Sequence, residues 1–189
     1  MSKAGRNSVL VVGLVALTLL QPAPGQSMAA RSMSGGKLWT TQNVNVVTPL
    51  SWCYQDLESN CARYGRLYTW EAAQQVCRAL GSGWRLPTDQ EWRQMARGHG
   101  GVSEDSPDRG KAAYKALYSG GTAGFGALLG GGRDEAGEYG RLDAHGFYWT
   151  ASAQNAGNAW FYNFAKGGLA LHRQGEGEKG RAFSVRCVR

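Results

Sequence analysis

The chain has 189 residues, a formal net charge of +7 at pH 7 and a hydrophobic fraction of 42%. This length suits one domain with one hydrophobic core and excludes an assembly of several large domains. The positive charge favours acidic partners such as anionic polysaccharides or envelope polymers. No run of Lys and Arg is present, so nucleic acid is not an expected partner.

The N-terminus has the pattern of a secretory signal peptide. Two basic residues precede an apolar stretch, 9–20, that is too short to span a bilayer as a helix of about 20 residues. Prolines then break the helix, and small residues at the peptidase spacing place cleavage after Gly25. We therefore predict a signal peptide at 1–25, a flexible Gly/Ser-rich tail at 26–38 and one domain at 39–189, with no membrane span after cleavage. An uncleaved, membrane-anchored N-terminus is the alternative.

The four cysteines of the chain are Cys53, Cys61, Cys77 and Cys187. In an exported chain an even number favours disulfides over metal ligands or reactive thiols, and four cysteines allow three pairings. Cys53 and Cys61 flank a short turn-rich stretch, so we expect them to pair locally and Cys77 to pair with Cys187. A loop of about 110 residues would then be closed, which stabilises by about 4–5 kcal/mol in the chain-entropy model. The spacing that a zinc site requires is absent.

Strand and hairpin signals come first along the mature chain. Residues 38–47 alternate and are rich in Thr and Val, which predicts a strand that ends at Pro49. Residues 52–54 and 64–68 are the predicted arms of a hairpin around the small disulfide, with Gly65 as a bulge or turn.

Two helices are predicted next. Thr69 caps a helix over 69–80, whose apolar face includes Cys77 and therefore turns this cysteine inward. Thr88 begins a second helix, with Glu91 completing a capping box, and Gly98 ends it.

The second half begins with a short helix at 111–118 and continues into a glycine-rich segment, 120–146. Ten of its 27 residues are glycine, and each costs about 1 kcal/mol in a helix, so we predict a long, packed, irregular loop. Such loops often carry function. The remaining residues predict strands at 147–151, 159–164, 169–173 and 182–188. Helices followed by strands in this order indicate an α+β protein.

Five motifs in order resemble the Fibrobacter succinogenes major paralogous domain. They occupy residues 61–73, 83–92, 124–131, 147–152 and 183–189, and the resemblance covers 39–189. The C-terminal domain of collagen-like bacterial adhesins shares the Arg-Leu-Pro-Thr, Tyr-Trp and Val-Arg-Cys-Val-Arg pieces. The resemblance implies a C-type-lectin-like fold related to formylglycine-generating enzymes, an antiparallel sheet closed by a disulfide from a helix to the last strand, and an exported or surface location. It implies no common activity.

Aromatic and charged side chains in or beside the glycine-rich segment are the candidate ligand-binding residues. An aromatic ring stacks on a sugar face or anchors a protein contact, and Arg or His holds an anionic group. The candidates are Tyr118, Phe125, Arg133, Tyr139, Arg141, Phe147, Trp160, His172 and Arg173. We predict structural roles for Arg85 and Arg186, which would bond loop carbonyls or a carboxylate such as Asp89 or Glu91.

Other chemistries are less well supported by the residue patterns, and we expect no metal and no cofactor. Calcium lectins of this fold use motifs that do not occur here, and the acidic residues of the glycine-rich segment lack calcium-loop spacing. Oxidation of a substrate cysteine needs an activated thiol, whereas all four cysteines have structural explanations. The histidines have no metal-binding spacing. These acidic residues and histidines are Asp134, Glu135, Glu138, Asp143, His99, His145 and His172.

The sequence therefore predicts an exported, non-enzymatic ligand-binding or adhesion domain, secreted or retained in the periplasm or outer surface of a bacterium. The expected ligand is a glycan or an envelope or surface protein, bound at the glycine-rich face. A structural component of a cell-surface assembly is the alternative, and a formylglycine-generating type of enzyme is the third.

Overall fold

In a computed structural model, the described residues are 28–81 and 83–189, so the predicted signal peptide lies outside them. The strands are β1 Ala30–Ser32, β2 Leu38–Thr40, β3 Ser51–Trp52, β4 Leu67–Tyr68, β5 Gly130–Arg133, β6 Tyr139–Leu142, β7 His145–Ala153, β8 Asn158–Ala165 and β9 Ala170–Glu178. The helices are α1 Glu58–Tyr64, α2 Trp70–Ala79, α3 Asp89–Arg97 and α4 Lys111–Leu117, with a 3-10 turn at Tyr54–Asp56. The predicted α+β class is confirmed.

Local capping explains where α2 and α3 begin. The Thr69 hydroxyl accepts a hydrogen bond from the backbone N–H of Ala72 at the start of α2. At α3 the Thr88 hydroxyl accepts from the Glu91 N–H at 3.2 Å, and the Glu91 carboxylate accepts from the Thr88 N–H at 2.9 Å. Both bonds satisfy helix donors that lack an intrahelical partner, and the predicted starts of both helices are confirmed.

The main sheet has the strand order β6-β5-β7-β8-β9. All neighbours are antiparallel except β5 and β7, which pair in parallel at Gly131 and Gly146. The prediction of an irregular loop over 120–146 is wrong in part, because the hairpin β5–β6 forms the far edge of this sheet.

Glycine is required in β5 because neighbouring groups approach the backbone closely. At Gly131, φ is +64°, and an added Cβ would lie 2.5 Å from the Gly140 carbonyl oxygen and 2.8 Å from a Tyr54 ring carbon. At Gly132 it would lie 3.1 Å from the Phe183 ring. These glycines therefore permit a packed strand.

The two ends of the domain differ from the prediction. Ala30–Ser32, inside the predicted flexible tail, pairs antiparallel with Leu38–Thr40. The predicted last strand, 182–188, is an extended segment that makes isolated bridges to Arg133, Tyr68, Tyr148, Arg85 and Trp39 instead of one ladder. It passes between several elements, so the bridges of Ala182, Phe183, Ser184 and Val188 lead to different parts of the chain. The predicted strand 38–47 likewise ends at Thr40.

The small disulfide lies between two short paired strands. β3 and β4 are antiparallel, as the hairpin prediction required. The prediction missed α1, which lies between them and carries Cys61. Gly65 follows α1 with φ +77°, and an added Cβ would lie 2.6 Å from the Asn43 side chain.

Both disulfides join the expected cysteines. Cys53 pairs with Cys61 and Cys77 with Cys187, at Cα separations of 4.9 and 5.6 Å. The setting differs in detail from the expectation, because Cys187 lies in the extended C-terminal segment and not in a strand of the main sheet. All four cysteines are buried.

Two hydrophobic clusters lie on opposite faces of the main sheet. The first packs α3 and α4 on one face and includes Trp39, Trp92, Leu117, Phe125, Tyr148, Tyr162, Phe164 and Leu171. The second packs α2 and the C-terminal segment on the other face and includes Val76, Cys77, Trp149, Phe161, Phe183, Val185 and Cys187. None of the helices within 28–81 and 83–189 has the length and apolar character needed to cross a membrane.

Candidate ligand-binding groove

The second cluster covers only part of its sheet face. On β7, Trp149 is fully buried, whereas His145 and Phe147 on the same face are half-buried. The uncovered part forms a groove of about 560 Å³, which the β5–β6 hairpin borders. We call this depression the sheet groove.

A row of hydrogen-bonded polar side chains crosses three strands of the sheet groove. His145 Nδ1 lies 2.9 Å from Asn163 Oδ1, Asn163 Nδ2 donates to Gln174 Oε1 at 2.9 Å, and Gln174 Nε2 donates to Glu176 Oε1 at 3.2 Å. We call these four residues the polar row. They meet because Asn163 lies opposite Phe147 on β7 and His172 on β9, so its diagonal neighbours are His145 and Gln174.

The Glu176 carboxylate determines which groups donate and which accept along the polar row. Glu176 as a carboxylate only accepts, so Gln174 must donate with its amide nitrogen and accept with its oxygen. Asn163 then donates to Gln174 and presents its oxygen to His145, which must donate from Nδ1. Neutral His145 is thereby held in one tautomer, with Nε2 left as an acceptor.

Aromatic rings lie next to the polar row. The His145 ring stacks on Phe147 with centroids 5.4 Å apart and an interplanar angle of 14°. Phe147 in turn contacts Phe183 and Phe161, at centroid distances of 5.0 and 6.0 Å. Since both contacts join the second cluster, the apolar floor of the sheet groove is anchored in the core.

The hairpin wall carries Arg133, Tyr139 and Arg141. The Arg133 guanidinium carbon lies 4.3 Å from the Trp52 ring centroid and 5.7 Å from that of Tyr139. The Tyr139 hydroxyl donates to Asp56 at 2.8 Å, and burial together with this hydrogen bond raises the pKa of Tyr139. The wall is therefore a stacked and hydrogen-bonded surface.

The charges of the sheet groove are mixed. Its lining includes the basic residues Arg133, Arg141 and Arg181 and the acidic residues Asp134, Glu138, Glu176 and Glu178. Arg181 forms an ion pair with Glu178. A strongly anionic polymer therefore meets no concentrated positive field here.

A second depression, of about 690 Å³, lies beside the first and is lined by Trp160, Arg173, Gln174 and Glu176, among others. We call it the edge depression. Arg173 donates two hydrogen bonds of 2.7 Å to Asp89, and its guanidinium carbon lies 3.4 Å from the Trp160 ring centroid. This arginine has a bidentate carboxylate partner within the protein, and its role in holding an anionic group of a ligand stays a prediction.

The nine candidate residues separate into groups. Arg133, Tyr139, Arg141 and Phe147 line the sheet groove, and Trp160 and Arg173 line the edge depression.

The other three candidates lie outside both depressions. Phe125 is fully buried against Trp39 and Trp92, so it is unavailable to a ligand, which corrects its prediction. Tyr118 is half-buried and stacks on Tyr114, with centroids 5.2 Å apart. His172 Nδ1 forms a hydrogen bond with the Ser103 hydroxyl at 2.8 Å.

Residue patterns alone did not indicate the polar row. They marked His145 as a possible metal-binding or acid–base residue and gave no role to Asn163, Gln174 and Glu176. One signal was available, because Asn163 is a polar residue between Tyr162 and Phe164 in the otherwise aromatic and apolar run 159–165. A buried amide at such a position needs hydrogen-bond partners on its own face of the sheet.

The structural arginines are placed as predicted. Arg85 binds the Glu91 carboxylate through both terminal nitrogens, at 2.8 and 2.5 Å. Arg186 is fully buried and donates to the carbonyls of Thr40, Phe125 and Gly126 and to the Asn43 side chain.

Two of the acidic residues that were weighed as calcium ligands accept hydrogen bonds within the protein. Asp134 accepts from the Glu138 backbone N–H at 2.8 Å, and Asp143 accepts from the Tyr64 hydroxyl at 2.7 Å. Among the described residues, the one group of three side chains with metal-ligand spacing is Cys53, Glu58 and Cys61. Its two sulfurs are joined in a disulfide, so they are not available as thiolate ligands.

These features define an α+β domain cross-linked by two disulfides, with a groove on the partly covered face of its main sheet. The chain belongs to the Fibrobacter succinogenes major domain family, whose family model matches residues 28–189. The resemblance seen in the five motifs is thus confirmed, and the match includes β1, which precedes the predicted domain start at residue 39. No match is found among curated proteins or among solved structures.

Proposed function

We propose that this protein is an exported, non-enzymatic ligand-binding or adhesion domain that binds a glycan in the sheet groove. The observation that carries the proposal is the polar row beside Phe147. Planar side chains that are hydrogen-bonded to one another hold their remaining donors and acceptors in fixed directions, and such groups recognise hydroxyl groups at little cost in side-chain entropy.

The surroundings of the polar row favour a polyhydroxylated ligand with little net charge. The Phe147 ring supplies an apolar surface for the face of a sugar, and the polar row supplies hydrogen bonds at its edge. The mixed charges of the lining give no strong preference for a polyanion. An anionic polysaccharide, which the net charge of the chain alone favours, is therefore a weaker candidate than a neutral one.

Export and fold complete the proposal. Two buried disulfides are typical of a chain that folds in an oxidising compartment such as the periplasm or the extracellular space. We further propose that the α+β architecture, with its link from α2 to the C-terminal segment, is a C-type-lectin-like fold. All four cysteines are in disulfides, which supports a non-enzymatic role over thiol-based oxidation.

The test is binding of the oxidised domain to an array of neutral and acidic glycans, followed by calorimetry on the glycans that bind. Gln174→Ala removes the centre of the polar row and should weaken binding by about tenfold, the equivalent of about 1.4 kcal/mol. Gln75→Ala is the matched control, because Gln75 is an exposed glutamine on α2, outside both depressions.

Two results would overturn the proposal. One is the absence of any glycan signal together with self-association, which would favour the structural role in a surface assembly. The other is glycan binding that Gln174→Ala and Gln75→Ala affect equally, which would place the site elsewhere.

A further inference from the structure

The sheet groove and the edge depression meet at one strand. β9 is the last strand of the main sheet and pairs only with β8 within it. Gln174 and Glu176 of β9 line both depressions, and both belong to the polar row. The hydrogen-bonding surface of the groove therefore continues to the edge of the sheet.

Trp160 provides an aromatic surface on the other side of this edge, because it precedes Phe161 on β8 and therefore points to the opposite face of the sheet from the groove. Its ring is packed on β9, where the Arg173 guanidinium carbon lies 3.4 Å from its centroid. An added Cβ on Gly175 would lie 2.9 Å from the ring, so the absence of a side chain there makes room for the tryptophan. Asp89 holds Arg173 in turn through two 2.7 Å hydrogen bonds. The orientation of the ring is thus determined before any ligand binds.

The combined surface is larger than one sugar unit. Residues of β6, β5, β7, β8 and β9 line the sheet groove. Five adjacent strands span four spacings, or roughly 19 Å at about 4.8 Å each. The edge depression continues this surface around β9 toward the opposite face of the sheet, and its lining adds the amide side chains of Gln154, Asn155 and Asn158.

We propose that the two depressions form one continuous site for an extended glycan chain, which crosses the edge of β9 and stacks on Trp160. This inference rests on the proposed function and adds the ligand class to it: a linear oligosaccharide or polysaccharide, and not a single terminal sugar. Alternating aromatic and amide surfaces suit successive units of such a chain, because each unit presents an apolar face and polar edges.

The test compares ligand lengths within one series. Cello-, chito-, xylo- and manno-oligosaccharides are each presented as disaccharide and hexasaccharide, and the dissociation constants are measured by calorimetry. For a series that binds, the hexasaccharide should bind about tenfold more tightly than the disaccharide. Trp160→Ala should reduce this ratio to about twofold, since one aromatic anchor of the longer ligand is lost.

Two further variants serve as a second perturbation of the Trp160 ring and as a control. Gly175→Ala displaces the Trp160 ring without removing it and should also lower the ratio. Trp70→Ala is the matched control, because Trp70 is a half-buried tryptophan with a cation, Lys179, 4.5 Å from its ring, but lies outside both depressions. The ratio should stay about tenfold in Trp70→Ala.

The outcomes separate this inference from the proposed function. Equal affinities for disaccharide and hexasaccharide, or a ratio that Trp160→Ala does not change, would overturn the continuous site and leave glycan binding intact. Failure of every series to bind would overturn both.

Discussion

Arg186 is a fully buried charge whose hydrogen-bond partners are all uncharged. Its side chain donates to Asn43 Oδ1 at 2.6 Å, to the Thr40 carbonyl at 3.0 Å, to the Phe125 carbonyl at 2.7 Å and to the Gly126 carbonyl at 2.6 Å. Among the residues of 28–81 and 83–189, no carboxylate forms an ion pair with it. Burial lowers the pKa of Arg186. The arginine thereby joins the C-terminal segment to the first strand region and to the glycine-rich segment.

We predict that Arg186→Met destabilises the domain by roughly 4 kcal/mol. Methionine fills much of the volume but donates no hydrogen bond, so four acceptors lose their partner at about 1–3 kcal/mol each. We expect a total near the lower end of this range, because the desolvation cost of the guanidinium disappears in the variant. Against a typical total of about 5–15 kcal/mol, the variant would be close to unfolding at room temperature.

The assay is urea unfolding of the oxidised domain, followed by the fluorescence of its buried tryptophans. With an m-value of about 2 kcal/mol per M, a loss of 4 kcal/mol lowers the midpoint by about 2 M. Arg186→Lys should lose somewhat less stability than Arg186→Met, because one ammonium group does not reach all the acceptors that the guanidinium group spans. The control is Arg97→Met, which removes an exposed ion pair with Asp105 and should cost less than about 1 kcal/mol.

A neutral or stabilising effect of Arg186→Met would refute this reasoning. It would mean that removing the desolvation cost of the buried cation outweighs the loss of its hydrogen bonds, as happens for some buried ion pairs. The carbonyl groups here belong to the backbone and remain buried in the variant, so we expect the opposite balance.

Three further predictions concern the disulfides, pH and metal. Replacing Cys77 and Cys187 together by Ala frees a loop of 110 residues and should lower the free energy of unfolding, measured in urea, by about 4–5 kcal/mol. The chain-entropy argument would be contradicted if this loss were no larger than the loss from opening the 8-residue loop of the other disulfide. Burial raises the pKa of Glu91, but hydrogen bonds from Arg85 and Thr88 outweigh burial and leave it at about 2, below the ordinary 4.5. The stabilisation that the Glu91 carboxylate provides is therefore complete above pH 4.5 and is lost as the pH falls toward 2. The free energies of unfolding of wild type and Glu91→Gln, measured in urea, should converge over this range. A difference that stays constant would contradict this role of the carboxylate. Adding EDTA should leave glycan affinity unchanged in calorimetry, because the one group with metal-ligand spacing among the described residues contains disulfide sulfurs; a weakened affinity would reveal a metal in the site.

Helix starts and cysteine pairing were accessible from the sequence because the forces involved are local or covalent. Thr69 and Thr88 lie within three residues of the N–H groups that they cap, so the pattern itself contains the interaction. Cys77 falls on the apolar face of a predicted helix, which limits the pairings that a buried cysteine can make. The family motifs were accessible for a similar reason, since they are contiguous stretches.

The glycine-rich segment shows where local reasoning fails. Gly131 is a strand residue because Tyr54 and the backbone of Gly140 approach it closely. Composition alone indicates that the segment is not helical. Only the packing partners decide which glycines lie in a strand and which in a turn.

The candidate site shows the same limit. Phe125 and Phe147 are both aromatic residues near the glycine-rich segment, yet one is fully buried and the other lines the sheet groove. Arg173 has the chemistry for holding an anion, but Asp89, 84 residues away in the chain, already occupies its guanidinium.

By itself, the sequence determined the α+β class, the two main helices, the disulfide partners, the family and the structural roles of Arg85 and Arg186. These follow from spacing along the chain and from the chemistry of each residue type. The tertiary structure alone decided that residues 130–142 join the sheet and that His145, Asn163 and Gln174 form a row. Such a row depends on strand register, and register results from the packing of whole strands against the two clusters.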